Sequence, residues 1–312
     1  EAPSIPAVFI QKGLKNNNTI LSPTNIILNV EELQENFYSS GFFNTIPDES
    51  GMIRSVPLVM SYDGLVYPSL TLEMLRAASG IKKVKVTGDS AGIRTIEFGQ
   101  YAIPTDKVGR IIVNYRGKAR TFKYISAGKI LNNDFNPEDI AGKYVLIGTS
   151  AVGLFDLRSI PFDSAFAGVE VHANVIDNVI TGDYLKKPAD IVVYDIAIIW
   201  IITFVFLILF SIMNSWWIIP TSIVATFALF EFFYQMLFTY GLVLNVLVPL
   251  ISYSVTLIIS IGIDYVIATR QKEQAKKMLG KKVSPAVMDY LLKHSAEDIV
   301  ASREVEATVF FS

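Results

Sequence analysis

Cysteine is absent from all 312 residues, which excludes disulfide frameworks, thiolate zinc sites, iron–sulfur ligation and a cysteine nucleophile. No H-E-x-x-H, nucleophile elbow, Ser-His-Asp order or G-x-G-x-x-G occurs, so the chain offers no recognisable hydrolytic or dinucleotide site. The most informative absence is of basic charge. None of the 27 Lys and Arg falls between Pro188 and Thr269, whereas eight fall in the 43 residues that follow. With 29 acidic residues the overall balance is near neutral, and no global basic field exists to draw nucleic acid. What is present is apolar: 51% of residues are hydrophobic and the mean hydropathy is +0.42, too high for a wholly soluble chain. Part of the chain lies in lipid. The first residues lack the basic-then-apolar order of a signal peptide, and the last form a strand-like run that stops without a turn, so both ends read as cuts.

Residues 191–213 contain 20 apolar residues in 23, enough at roughly 1.5 Å per residue to cross a hydrocarbon core of ~30 Å. Two further runs, 216–238 and 242–268, are equally free of basic residues and predict a second and third span, with Trp216 and Trp217 at an interface. A re-entrant hairpin in place of these two is the alternative. Short links predict antiparallel neighbours. Arg270, Lys272, Lys276, Lys277, Lys281 and Lys282 after the third span outweigh Lys186 and Lys187 before the first, which predicts a cytoplasmic carboxyl side and an extracytoplasmic 1–190. Glu231 sits mid-span, where an ionisable group must be neutral or paired. Interhelical hydrogen bonding with Asn245, Ser252 or Ser254 is one reading, a signalling role or ion conduction are others. Pro249 should kink the third span.

Residues 1–190 alternate β-rich and helical runs and predict an α/β domain, with strands at 7–10, 83–86, 93–98, 110–115 and 144–148 and helices at 69–78 and 169–180. The run 143–148 reads as a buried strand ending in Gly148, and ligands of open α/β sheets gather at such strand ends. The loop from Gly148 to Gly153 has glycines at P-loop spacing but continues Leu154-Phe155, so it is not a nucleotide site; it is an anion cradle or an ordinary turn. Asp156, Asp163 and His172 are placed to converge there, as a ligand pocket, a catalytic group or a hydrogen-bonded structural cluster. Arg54 is expected to pin the turn at 47–51 through a carboxylate.

The run Gly41-Phe42-Phe43-Asn44, Pro47-Asp48, Gly51, Arg54, Pro57-Leu58 and Tyr67-Pro68-Ser69-Leu70 resembles the second type of CHASE domain, the extracellular sensor of bacterial cyclases and kinases. So do Gly142 to Gly148, Asp156, and Gly168-Val169-Glu170-Val171-His172-Ala173-Asn174, followed by three spans. The resemblance covers roughly residues 7–268 and implies a periplasmic sensor of unknown ligand. In sensors of this family a first membrane helix and an opening strand-rich segment precede the part seen here. After the membrane, Ser284 and Pro285 form a good helix start, and residues 283–292 look like the lead-in to a class III adenylate or guanylate cyclase. Residues 304–312 are similar to the first strand of that core.

The architecture this implies is an α/β extracytoplasmic sensor domain (1–190), a three-helix transmembrane bundle (191–213, 216–238, 242–268), a short cytoplasmic helical connector (269–303) and the first cyclase strand (304–312). The resemblance implies a multi-pass receptor of the plasma (inner) membrane that acts as a homodimer in contact with membrane lipid. Its cyclase would turn ATP, or in the alternative GTP, into cyclic nucleotide with Mg²⁺ or Mn²⁺. The catalytic residues are expected beyond Ser312, so residues 1–312 alone are expected to bind no metal and to be inactive. Gly280 is the expected hinge. A non-catalytic sensor that recruits a partner, or a sensor coupled to a protein kinase, are the alternative readings.

Overall fold

The computed structural model describes residues 7–14, 19–150, 156–187, 190–213 and 215–280. Ser284, Pro285, the strand expected at 304–312 and part of the loop after Gly148 lie outside them. The chain divides into two compact units, residues 1–197 with 228–246, and residues 198–227 with 247–312.

In the first unit, β1 (Val8–Lys12) is followed by the one-turn α1 (Glu31–Gln34) and by the short strands β2 (Ser55–Pro57), β3 (Val59–Tyr62) and β4 (Leu65–Pro68). Then come α2 (Leu70–Ala78), β5 (Lys83–Asp89), β6 (Gly92–Phe98), β7 (Tyr101–Pro104), β8 (Arg110–Ile112) and the short α3 (Ala127–Leu131). The hairpin β9 (Leu157–Ile160) and β10 (Asp163–Ala167) leads directly into α4 (Gly168–Thr181). One sheet has the order β1-β5-β6-β7, with β1 parallel to β5 and the rest antiparallel; β2 pairs with β8, β3 with β4 and β9 with β10.

Alternation explains the main sheet. In β5, Val84 and Val86 point into the core, while Lys85 faces out and meets Glu97 of β6 at 2.7 Å across the register pair. The β3–β4 turn is Asp63-Gly64, both at positive φ, as a two-residue hairpin loop requires. Helix α2 starts where Ser69 accepts the Leu72 N–H, and it buries Leu72 and Leu75 against the sheet core together with Val171, Val175 and Val179 of α4. Asp48 holds the turn at 47–51 by accepting the Ser50 and Met52 N–H groups and by pairing with Arg54. These contacts, the Ser50 hydroxyl foremost, lower the Asp48 carboxyl to about 2.

One expected strand does not form. Residues 143–148 pair with no strand among the described residues, and Ile147 is 95% exposed, although Leu146 touches the core. Apolar composition expresses a demand for burial, but a strand also needs a neighbour with free peptide groups, and no neighbour is alongside.

The apolar helices are α5 (Ile191–Ile212), α6 (Ser215–Phe238) and α7 (Leu247–Gly280), each long and apolar enough to cross a membrane. The third starts five residues later than expected, because residues 242 and 243 are hydrogen-bonded elsewhere, as described below. Asn245 therefore lies in the connection before α7 and not within a span. Pro249 falls in the first turn of α7, where its missing N–H costs no helical bond, so it marks a start and not a kink. Within the second unit Tyr253 of α7 donates to the Ser222 carbonyl of α6 at 2.8 Å and stacks edge-on against Phe206 of α5. Thr203 and Ser252 share a further hydrogen bond of 2.6 Å between α5 and α7.

Candidate functional site

Helix α4 carries four buried polar residues of the first unit, Glu170, His172, Asn174 and Asn178. At its start the Gly168 N–H donates to the Asp156 carbonyl, and the Asp156 carboxylate lies against the Gly168 Cα so closely that a Cβ there would collide with it. Gly148 abuts the next residue: a Cβ at Gly148 would stand 2.6 Å from that of Val169. His172 is buried one turn further on, with its Nδ1 lacking a hydrogen-bond partner among the described residues. Burial pushes the His172 imidazolium below its ordinary range, an effect partly offset by the Phe43 backbone and the Asp156 carboxylate. Gly148, Asp156 and His172 thus gather at the first turns of α4. Asp163 does not join them. It opens β10 at the turn end of the hairpin, opposite Ile160, whereas Asp156 adjoins the other end, where Leu157 pairs with Ala167. There Asp163 accepts the Ala165 and Ala119 N–H groups, which hold its carboxyl below the usual range. Among the described residues no group of three or more His, Asp or Glu could hold a metal.

The depressed His172 pKa has a signed consequence. Because the unfolded state takes up a proton at about 6.5 and the folded state only at lower pH, the contribution of neutral His172 is complete above that value and is lost as pH falls through the folded pKa. Unfolding midpoints of the wild type should therefore drop between pH 7.5 and 5.5, and those of His172→Gln should drop less. Equal slopes for the two proteins would show that His172 carries no such linkage.

Beyond the first turn, α4 presents a polar spine. Glu170, Asn174 and Asn178 are spaced four apart, so they stack on one face, and all are buried. Asn178 accepts the Asn114 N–H and donates to its carbonyl, both at 2.9 Å. Asn174 accepts the Arg116 N–H at 2.9 Å, and Glu170 accepts the Arg120 N–H at 3.0 Å and the Tyr124 hydroxyl at 2.8 Å. Three side chains on a helix thereby do for the segment after β8 what a neighbouring strand would do. This explains why polar residues occupy an otherwise apolar helix. Their four-residue spacing is the sequence signal, easily passed over because each residue alone reads as surface.

The same unit fastens this domain to the apolar helices. Arg94 of β6 bridges Asp89 at 2.7 Å and Asp190 at 2.8 Å, and the Asp190 carbonyl accepts the Val193 N–H as α5 begins. Ile112 of β8 bridges Leu185, and Lys186 bridges Leu242 in the connection between α6 and α7. The Lys186 N–H donates to the Gly241 carbonyl at 2.6 Å, and the Val243 N–H to the Lys186 carbonyl at 2.9 Å. Gly241 is required here, since its φ is +65° and a Cβ would stand 2.5 Å from the Tyr184 carbonyl. The Glu231 carboxylate accepts from Gln235 on its own helix at 2.7 Å, Ser252 bonds Thr203, and Ser254 donates to the Leu250 carbonyl.

The family model described as the CHASE2 domain matches residues 7–211, from β1 into α5. The chain belongs to the CHASE2 family. No curated protein and no solved structure matches it. A CHASE2 sensor domain with three candidate membrane helices fits a membrane signalling receptor. Within the CHASE2 domain the glycine that opens α4 is explained by the Asp156 carboxylate, and Glu170 and Asn174 by the backbone they satisfy.

Proposed function

We propose that this receptor senses an extracytoplasmic stimulus through its CHASE2 domain and passes it across the plasma membrane to a cytoplasmic class III cyclase that converts ATP to cyclic AMP and pyrophosphate. The single observation that carries the coupling is the hydrogen-bonded ladder from β8 through residues 185 and 186 to residue 242. In this reading, strain in the sheet of the sensor is passed to the connection before α7 through peptide groups, and to the start of α5 through the Arg94–Asp190 ion pair. The excess of basic residues from Arg270 onward, beyond the apolar part of α7, supports a cytoplasmic carboxyl side. The likeness of residues 283–292 and 304–312 to the lead-in and first strand of class III cyclases supports the enzyme. In this reading the catalytic core proposed to follow would hold the Mg²⁺ or Mn²⁺ of such an enzyme. Such cores work as pairs, and the receptor acts as a homodimer in this reading. A stimulus couples only if it interacts differently with two arrangements of that dimer.

Membranes from a cyclase-deficient host expressing the complete reading frame should make cyclic nucleotide from ATP in the presence of divalent metal. Absence of product from ATP and from GTP would favour a sensor that recruits a partner. The ladder has its own check. Gly241→Ala forces a left-handed backbone on alanine and a collision with Tyr184, costing about 1–2 kcal/mol. Exchange of the Lys186 and Val243 amides should then quicken by roughly tenfold, and unchanged protection of both would remove the ladder as the coupling element.

A further inference from the structure

Helix α6 buries one stripe, Ile218, Ser222, Ala225, Leu229 and Phe233. At 3.6 residues per turn, Glu231 lies about 200° round the helix from both Leu229 and Phe233. Its side chain therefore points away from the covered face. On that outward side, Trp217, Val224, Phe227, Glu231, Tyr234 and Phe238 fall at the alternating three- and four-residue intervals of a helix-pairing seam, and all are exposed. Gln235 donates to Glu231 and accepts from Thr239 at 2.6 Å, so a chain of carboxylate, amide and hydroxyl runs from the seam to the helix end.

Lipid does not suit this face. Glu231 lies seven residues inside the end of α6, about 10 Å deep, and the chain has no basic residue between Pro188 and Thr269 to pair with it. An acid and an amide at such depth are costly against hydrocarbon. By contrast, α5 and α7 carry no Glu or Gln between Ile196 and Ile263.

We propose that the outward seam of α6, centred on Glu231 and Gln235, is the surface through which two copies of this chain pair in the membrane. A second copy is the fitting occupant because the seam is self-complementary. Two parallel α6 helices related by a two-fold axis along the membrane normal bring Glu231 and Gln235 to equal depth on both sides. Carboxyl and amide groups then face their like, and the aromatic residues fill the intervening layers. A single polar group in an otherwise apolar seam fixes register, which a signalling dimer needs more than it needs affinity. The inference deepens the homodimer reading above by naming its interface.

The absence of cysteine makes the test direct, since every disulfide must come from an introduced residue. Single variants Phe227→Cys and Tyr234→Cys on the seam, with Ile208→Cys on α5 and Ile258→Cys on α7 as exposed controls, are oxidised in native membranes and resolved without reductant. Seam variants should give a band of twice the chain mass and the controls little. Adding Glu231→Ala to Tyr234→Cys should reduce that band roughly tenfold, as expected for losing an interhelical polar contact. Adding Glu231→Gln should preserve it. Equal crosslinking by the controls, a band at the mass of an adduct with another protein, or indifference to Glu231→Ala would each overturn the assignment. Light scattering of the purified full chain separates the two readings. A dimer with a silent seam leaves the homodimer standing and removes only this interface, whereas a monomer removes both.

Discussion

Arg76→Ala should destabilise the CHASE2 domain by about 3–5 kcal/mol, the penalty for leaving a buried charge without its partner. Arg76 and Glu73 are both buried on α2, one helical turn apart, and their side chains meet in a two-pronged contact at 2.8 and 2.6 Å. The third arm of the guanidinium donates to the Ile81 carbonyl just beyond the helix, and Glu73 also accepts the Ser39 hydroxyl. Truncating Arg76 therefore strands a carboxylate in the core and leaves the Ile81 carbonyl without its donor. Replacing both residues with leucine should recover most of the loss, because well-packed apolar residues avoid the desolvation that the ion pair had to overcome. Trp200, Trp216 and Trp217 all lie in the apolar helices, so pulse proteolysis of the sensor domain is the suitable measurement. A loss below about 1 kcal/mol, the range of exposed pairs, would mean that water reaches this site.

Asn178→Leu should cost about 2–4 kcal/mol, although leucine matches asparagine in size. The expected loss comes from Asn114, whose N–H and carbonyl both lose their partner when the amide is removed. Asp177→Ala, one residue earlier, is the contrasting variant. Asp177 pairs with Arg116 in a partly exposed contact, and Arg116 retains Asp183 and Thr181, so the change should stay within about 1 kcal/mol. Should the two substitutions prove equally harmful in proteolysis, the spine of α4 would not be what holds the segment after β8.

Sequence made the helices legible because their signals are local. Ser69 as a cap, the spacing of Leu72 and Leu75, and the long apolar run of α5 each depend on residues a few positions apart. The strand at 143–148 was not legible in the same way: its Val, Leu and Ile specify burial, but strand formation depends on a partner that no local pattern encodes. The start of α7 could have been placed, since Pro249 belongs in a first turn; the apolar run from Leu242 hides it because pairing with Lys186 draws the same residue types into extended backbone. At the α4 end, the glycines and Asp156 are visible as a motif. What remains invisible in sequence is that Asp163, seven residues after Asp156, sits at the far end of the hairpin, because the pairing register that separates them is a property of two strands.

The ladder between the sensor and the membrane connection is built from main-chain groups, and this has an evolutionary corollary. Lys186 and Leu242 can drift to other residue types without loosening the join, since the peptide unit is common to them all. Proline is barred from positions 186 and 243, whose N–H groups are donors, and position 241 must remain glycine. Relatives that share the mechanism should be recognised there by which substitutions they avoid and not by which side chains they keep.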